Sequence, residues 1–152
     1  MKILLSELAL RGLSSHIARV MADRPFECVS FEQAVATGRR DFDCAFVSRD
    51  VTGLSTKHEL APSLKACYQV LDESPNLRWV HIHSAGADRD IYVRLKAKGV
   101  QVATSSGANS EVVAQTALAG LLALSRKFPE LVHAMHQKKW APLLGSQLPP
   151  DL

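Results

Sequence analysis

Two short loops concentrate what chemistry this 152-residue sequence offers. The first, "SAGAD" at 84–88, follows an apolar run and sets Ala85, Gly86 and Ala87 in succession, while the second, "SSGANS" at 105–110, opens a long apolar stretch. Residues this small add little bulk, so an anion can approach their amides closely, and successive N–H groups can converge on a carboxylate or phosphate oxygen. A tight turn would use Gly86 equally well, because the same conformational freedom serves either purpose. The eight glycines are scattered at 12, 38, 53, 86, 99, 107, 120 and 145, and neither GxGxxG nor the P-loop spacing occurs.

Other reactive side chains form no convincing set. His81 and His83 alternate onto one face of an apolar run, as two metal ligands would, but no third or fourth ligand stands at a sensible spacing, so core or edge positions are expected. His133 and His136 lie one helical turn apart beside Lys138 and Lys139 and read as a solvated face. Asp50 closes another apolar run, where the phosphate-accepting Asp of a receiver domain would stand. That reading also needs an acidic pair after the first strand, and only Glu7 is there. No metal ligand, catalytic acid or catalytic base is assigned. Cys28, Cys44 and Cys67 are odd in number and without CxxC spacing, which points to core filling in a reduced, cytoplasmic setting. Trp79 reads as core, and Trp140, after a basic helix end, as packing across a domain junction. Neither has the interleaved aromatic and basic neighbours of a nucleic-acid platform.

The elements that must position these loops follow from periodicity. Strand-like runs fall at 2–6, 26–31, 42–48, 77–84 and 100–105. Helical patterns lie between them: Leu13, Ile17, Val20 and Met21 share one face, as do Leu64, Cys67 and Leu71 with Leu60, and "DIYVRLKAKG" ends in a glycine suited to a helix C-terminus. Short strands separated by helices imply parallel pairing with right-handed crossovers, hence a doubly wound, flavodoxin-like α/β sheet of about five strands. A C-terminal helix pair follows it. "NSEVVAQTALAGLLALSR" is apolar almost all round, with Asn109 or Ser110 placed to cap it and Glu111 set against the dipole, and Pro129 fits the first turn of a second helix over 129–139.

Composition agrees with one soluble domain and an appendage. Hydrophobic residues make up 47%, and the net charge of +3 leaves no basic stripe for nucleic acid. The N-terminal apolar run is interrupted by Glu7 and reads as a strand rather than a leader. The longest apolar stretch, Val112 to Leu124, falls short of the roughly 20 residues of a membrane span.

The segment "LRWVHIHSAGADRDIYVRLKAKGVQVATSSGANSEVVAQTALAGLLALSR" resembles the D-isomer-specific 2-hydroxyacid dehydrogenases. Their pattern combines a Trp-containing strand, an S-x-G-x-D loop, a G-V-x-V-x-N/S strand and an N-x-x-x-V-A-E helix. The resemblance covers about the last half of the chain, and residues 1–76 agree only in rhythm. It implies a substrate-binding domain over 1–108, interdomain and dimerisation helices over 109–140, and a linker over 141–152 leading to an NAD-binding domain beyond these residues. By the same resemblance, Ala85, Gly86 and Ala87 hold the substrate carboxylate, Asn109 reaches the substrate, and Val113 lies beside the nicotinamide of NAD or NADP. Gln115 stands where Glu is usual and Thr116 where His is common, so hydrogen bonding is kept at 115 but charge is lost. The family's GxGxxG turn, substrate-orienting Arg and His–acid pair all lie downstream of such a linker. The implied function is the substrate side of an oxidoreductase for D-2-hydroxy or 2-oxo acids, a homodimer whose 152-residue portion is inactive alone. A non-catalytic carboxylate-binding or subunit-interaction module is the alternative.

Overall fold

The structure is a computed structural model describing residues 1–56 and 58–145. It divides into two compact units, Met1–Ser106 and the residues from Gly107 onward. The first alternates strand and helix: β1 (Lys2–Leu5), α1 (Glu7–Met21), β2 (Glu27–Ser30), α2 (Phe31–Thr37), β3 (Cys44–Val47), α3 (Arg49–Thr52), α4 (Pro62–Asp72), β4 (Trp79–Ile82), α5 (Asp90–Ala97) and β5 (Gln101–Thr104). All five expected strands form, and they pair in parallel in the order β2-β1-β3-β4-β5. This is the doubly wound α/β sheet that the alternation of short apolar runs and helical patterns requires.

The order fixes which face each helix covers. From β1 the chain steps to β2 on one side, and every later crossover runs the other way, so right-handed connections place α1 on one face and α2 to α5 on the other. The core lies beneath the crowded face. There Leu4, Val29, Ala45, Val47, Val80 and Ile82 of the strands meet Leu64, Cys67, Leu71, Ile91 and Leu95 of α4 and α5. Leu60 packs against this cluster from the loop before α4, not from the expected helical face, because the helix begins only at Pro62. Burial pushes the Cys67 thiol well above its ordinary pKa, as befits a packing residue.

On the opposite face, α1 is the one helix of the first unit that provides cover. Of its expected apolar stripe only Met21 is buried, while Leu13, Ile17 and Val20 join Ile3, Phe46 and Trp79 around a cavity of about 450 Å³. Trp79 is therefore not core. Alternation along β4 buries Val80 and Ile82 and turns Trp79, 42% exposed, and His81 toward the sparsely covered side.

The second unit holds α6 (Ser110–Ser125) and α7 (Phe128–His136) with Pro129 in the first turn of α7. Lys127, with a left-handed φ of 51°, links them. The helices contact each other, yet neither has a buried side chain, and Leu118, Leu121 and Leu124 of α6 are exposed. Trp140 is 92% exposed. No helix among the described residues is long and apolar enough to cross a membrane. The expected linker is described only to Gly145, and its remainder lies outside the described residues.

Candidate functional site

The loop after β4 is held from both sides. The His83 amide extends the β3 pairing by donating to the Val47 carbonyl at 3.0 Å, and the Ser105 amide, just past β5, donates to the carbonyls of Ile82 and Ser84, both at 3.1 Å. Ser84 Oγ then donates to the Gly86 carbonyl at 3.1 Å. These bonds occupy the carbonyls of Ser84 and Gly86. Among the described residues, the amides of Ala85, Gly86 and Ala87 donate no hydrogen bond. Ala85 and Gly86 are exposed, whereas Ala87 is half-buried against the core. Three successive free amides on a pinned, side-chain-poor loop are what an anion requires.

Gly86 itself discriminates between the two uses open to it. Its φ lies outside the left-handed region, and an added Cβ would meet only Asp88 Oδ1, at an ordinary contact distance of 3.5 Å. The turn does not demand glycine; bareness toward solvent is what glycine provides here. Gly107 in the second loop is different, because its φ of 89° does favour glycine. Its carbonyl accepts from the Ser110 amide at 3.2 Å and from Ser110 Oγ at 2.9 Å, which sets the entry to α6.

Asn109 occupies the N-cap of α6 and its carbonyl accepts from the Val113 amide at 3.0 Å, but its side chain makes no capping bond. The expected side-chain cap from Asn109 or Ser110 is thus corrected. The Asn109 φ of −124° and ψ of 18° depart from the extended N-cap geometry, and Ser110 Oγ turns back to Gly107 instead. Val113 is exposed one turn into the helix. The residues singled out from the sequence therefore fall into two sets, Ala85, Gly86 and Ala87 on the first unit and Asn109 and Val113 on the second.

A set of serines was missed by sequence reasoning. Ser6, Ser30 and Ser48 each end a strand and begin the next helix, and all three are buried. Ser6 Oγ accepts from the Ala9 amide and Ser30 Oγ from the Gln33 amide, each at 3.0 Å. "SFEQ" at 30–33 has the S-x-x-Q spacing of a capping box, the signal that could have found Ser30. Ser6 and Ser48 meet at 3.0 Å across the carboxyl ends of β1 and β3, and Ser48 Oγ donates to Asp50 Oδ1 at 2.5 Å. This is the point where strand order reverses, the usual crevice for ligands in such sheets. Here the protein's own network fills it. Partial burial pushes the Asp50 carboxyl up, but hydrogen bonds from Ser48, Ser6 and local backbone amides outweigh it and hold the group below its ordinary pKa.

The histidines have local partners. His81 Nε2 lies 3.0 Å from Ser105 Oγ, its ring set between Phe46 and Trp79, and His83 Nδ1 lies 3.3 Å from the Val47 carbonyl and 3.4 Å from Thr52 Oγ1. Among the described residues no cluster of three or more His, Cys, Asp or Glu could hold a metal. A dinucleotide fits no better: its pyrophosphate needs a glycine-rich strand-to-helix turn, yet Ser6, Ser30 and Ser48 occupy the first three such junctions and spend their hydroxyls on protein partners.

No family model matches the sequence, and no curated protein matches it either. Solved structures do match. D-mandelate dehydrogenase from Rhodotorula graminis, in its apo form, is similar over 91% of this chain at a TM-score of 0.59 and 21% identity. D-lactate dehydrogenase from Aquifex aeolicus, solved with NAD and lactic acid, is similar over 99% at 0.58 and 15% identity. NAD-dependent formate dehydrogenase from Staphylococcus aureus, solved with NAD, is similar over 93% at 0.54 and 18% identity. At these identities the likeness is one of fold. The chain spans 40%, 41% and 43% of those three proteins' lengths.

Proposed function

We propose that this chain is the substrate-binding part of an NAD(P)-dependent oxidoreductase acting on D-2-hydroxy or 2-oxo acids. The observation that carries the reading is the row of free amides at Ala85, Gly86 and Ala87, displayed beyond the carboxyl end of β4, at the end of the sheet where such folds bind ligands. The loop donates to the substrate carboxylate and fixes one end of the acid, while the sequence motifs assign Asn109 to the substrate and Val113 to the nicotinamide. Within this reading the domains run 1–108, 109–140 and 141–152, the protein works in the cytoplasm, and α6 and α7 make it a homodimer. Uncovered leucines on α6 support the last point, because contiguous exposed apolar surface is uncommon on monomers.

With neither GxGxxG nor any assigned acid or base, the 152 residues are expected to bind a 2-oxo acid weakly and to show neither NAD affinity nor turnover. The test is titration of the chain with pyruvate and glyoxylate, followed by amide chemical shifts. Saturable shifts at 84–88 are expected, and they should vanish in Gly86→Val, which adds bulk in front of the amides without straining the backbone. Unchanged shifts in that variant, or micromolar NAD binding by calorimetry, would overturn the reading. A carboxylate that binds without any dehydrogenase activity in a form carrying a dinucleotide-binding domain would favour the non-catalytic module.

A further inference from the structure

A cavity of about 420 Å³ with a partly polar lining lies on the first unit, lined by His58, Leu60, Tyr68, Arg89, Ile91 and Arg94, with Asp90 as its acidic member. Its walls are built before any ligand arrives. The Ala61 amide donates to Ser55 Oγ at 2.9 Å, and Thr56 Oγ1 accepts from the amides of His58 and Glu59 at 3.3 and 2.9 Å, so residues 58–61 are held on both sides of Leu60. Arg89 closes the other side. Its Nη1 donates to Tyr68 Oη at 3.3 Å and its Nη2 to the Ser55 carbonyl at 3.0 Å.

Arg89 is unlike the chain's other half-buried arginines. Arg39 pairs with Glu27 and Asp41, and Arg40 pairs with Glu73. Among the described residues Arg89 has no carboxylate partner, only a phenol and a carbonyl. A guanidinium withdrawn from water and held by neutral acceptors retains an unmet demand for negative charge. Arg94, on the same helix and cavity wall, is shared only loosely with Asp72 at 3.4 Å. Asp90 offsets part of this charge, so the cavity suits one compact anionic group and not a polyanion. Leu60, Ile91 and the Tyr68 ring offer apolar wall to whatever carries that group.

We infer that the cavity between residues 58–61 and the start of α5 binds a small organic anion, a carboxylate or phosphate monoester with an apolar body, through Arg89 and Arg94. This site is separate from the 84–88 loop and does not depend on the function proposed for it. The planar guanidinium of Arg89, held by two hydrogen bonds, favours an oxyanion over halide, and the apolar wall favours an organic anion over inorganic phosphate.

The experiment titrates the 152-residue chain with benzoate, phenyl phosphate and inorganic phosphate while amide shifts are followed. Saturable shifts confined to 58–61 and 89–94 are expected for the organic anions, with inorganic phosphate weaker. Arg89→Gln should weaken binding about tenfold or more, as loss of a charge-assisted contact does. Gly86→Val should leave it unchanged. Leu60→Trp, which fills the cavity and leaves Arg89 in place, covers the case in which Arg89→Gln fails to fold. No saturation by either organic anion up to about 10 mM, a ceiling that already allows binding tenfold weaker than a millimolar constant, overturns the proposal. So does equal binding by both variants, or shifts confined to 84–88.

Discussion

The two faces of the sheet carry opposite solutions to the same problem. Beneath α2 to α5, Leu4, Val80 and Ile82 are excluded from water and the strands pack as a parallel sheet must. Beneath α1, Phe46 and His81 are half-buried, Trp79 is exposed, and four of α1's own apolar residues, Leu13, Ile17, Val20 and Met21, line a cavity. The cause is topological, since a single crossover returns over that face. The lesson is that core packing and exposed apolar surface are segregated: the fully dressed face holds the fold, while water-facing apolar side chains sit under α1 and along α6.

The largest expected effect tests that segregation directly. Ile82→Ala removes a side chain 1% exposed in the dressed face and should cost about 2–5 kcal/mol in denaturant unfolding. Trp79→Ala, a larger deletion on the same strand, should cost under about 1.5 kcal/mol because its ring is partly solvated already. Equal costs for the two would break the contrast between faces.

Next in size is the apolar helix. Leu121→Glu places a charge among the exposed leucines of α6, so a dimer built on α6 and α7 should dissociate by tenfold or more in sedimentation across micromolar to hundred-micromolar protein. A parent chain that is monomeric throughout and fails to bind an apolar dye would remove the self-association reading.

How much of this was legible in the sequence depends on which force was speaking. The five strands and their parallel pairing could be read because short apolar runs alternate with helical ones, and the loop at 84–88 could be read because Ala85, Gly86 and Ala87 carry a methyl group or nothing beyond the backbone. Trp79 was misplaced because alternation assigns residues to faces but does not say which face is dressed. The short helices α2 and α3 carry too few residues for a clear period, and their serine starts at Ser30 and Ser48 gave a signal only as caps. Arg89 and the cavity at α5 could not be read at all, because Ser55, Tyr68 and Arg89 meet only once the fold is made.

A smaller effect is expected at Asn109. With no side-chain cap in place, Asn109→Ala should alter unfolding free energy by less than about 0.5 kcal/mol, short of the roughly 1 kcal/mol that a capping asparagine contributes. A loss of about 1 kcal/mol would show that the side chain caps α6 in solution.

The smallest effect contrasts the two edges of the sheet and depends on pH. The carboxyl edge is held by the neutral hydroxyls of Ser6, Ser30 and Ser48, whereas ion pairs gather at the opposite edge, where Arg39 bonds both carboxylate oxygens of Glu27 at 2.6 and 2.7 Å and also holds Asp41, itself paired with Lys2. Hydrogen bonds from Arg39 and then Lys2 hold the Asp41 carboxyl well below its ordinary range, and the Arg39 bond lowers Glu27. A carboxylate whose folded pKa is depressed contributes stability above its unfolded pKa, near 4, and loses it as pH falls toward the folded value. Stability should therefore be flat from neutral pH down to about 5 and decline below about 4, modestly, because these groups are exposed and screened by salt. Arg39→Gln removes the partner that lowers both carboxyls, so it should flatten the decline in denaturant midpoint between about pH 4 and pH 2 while changing the pH 7 value little. Parallel pH profiles for parent and variant would show that the ion pairs at this edge do not couple folding to acid.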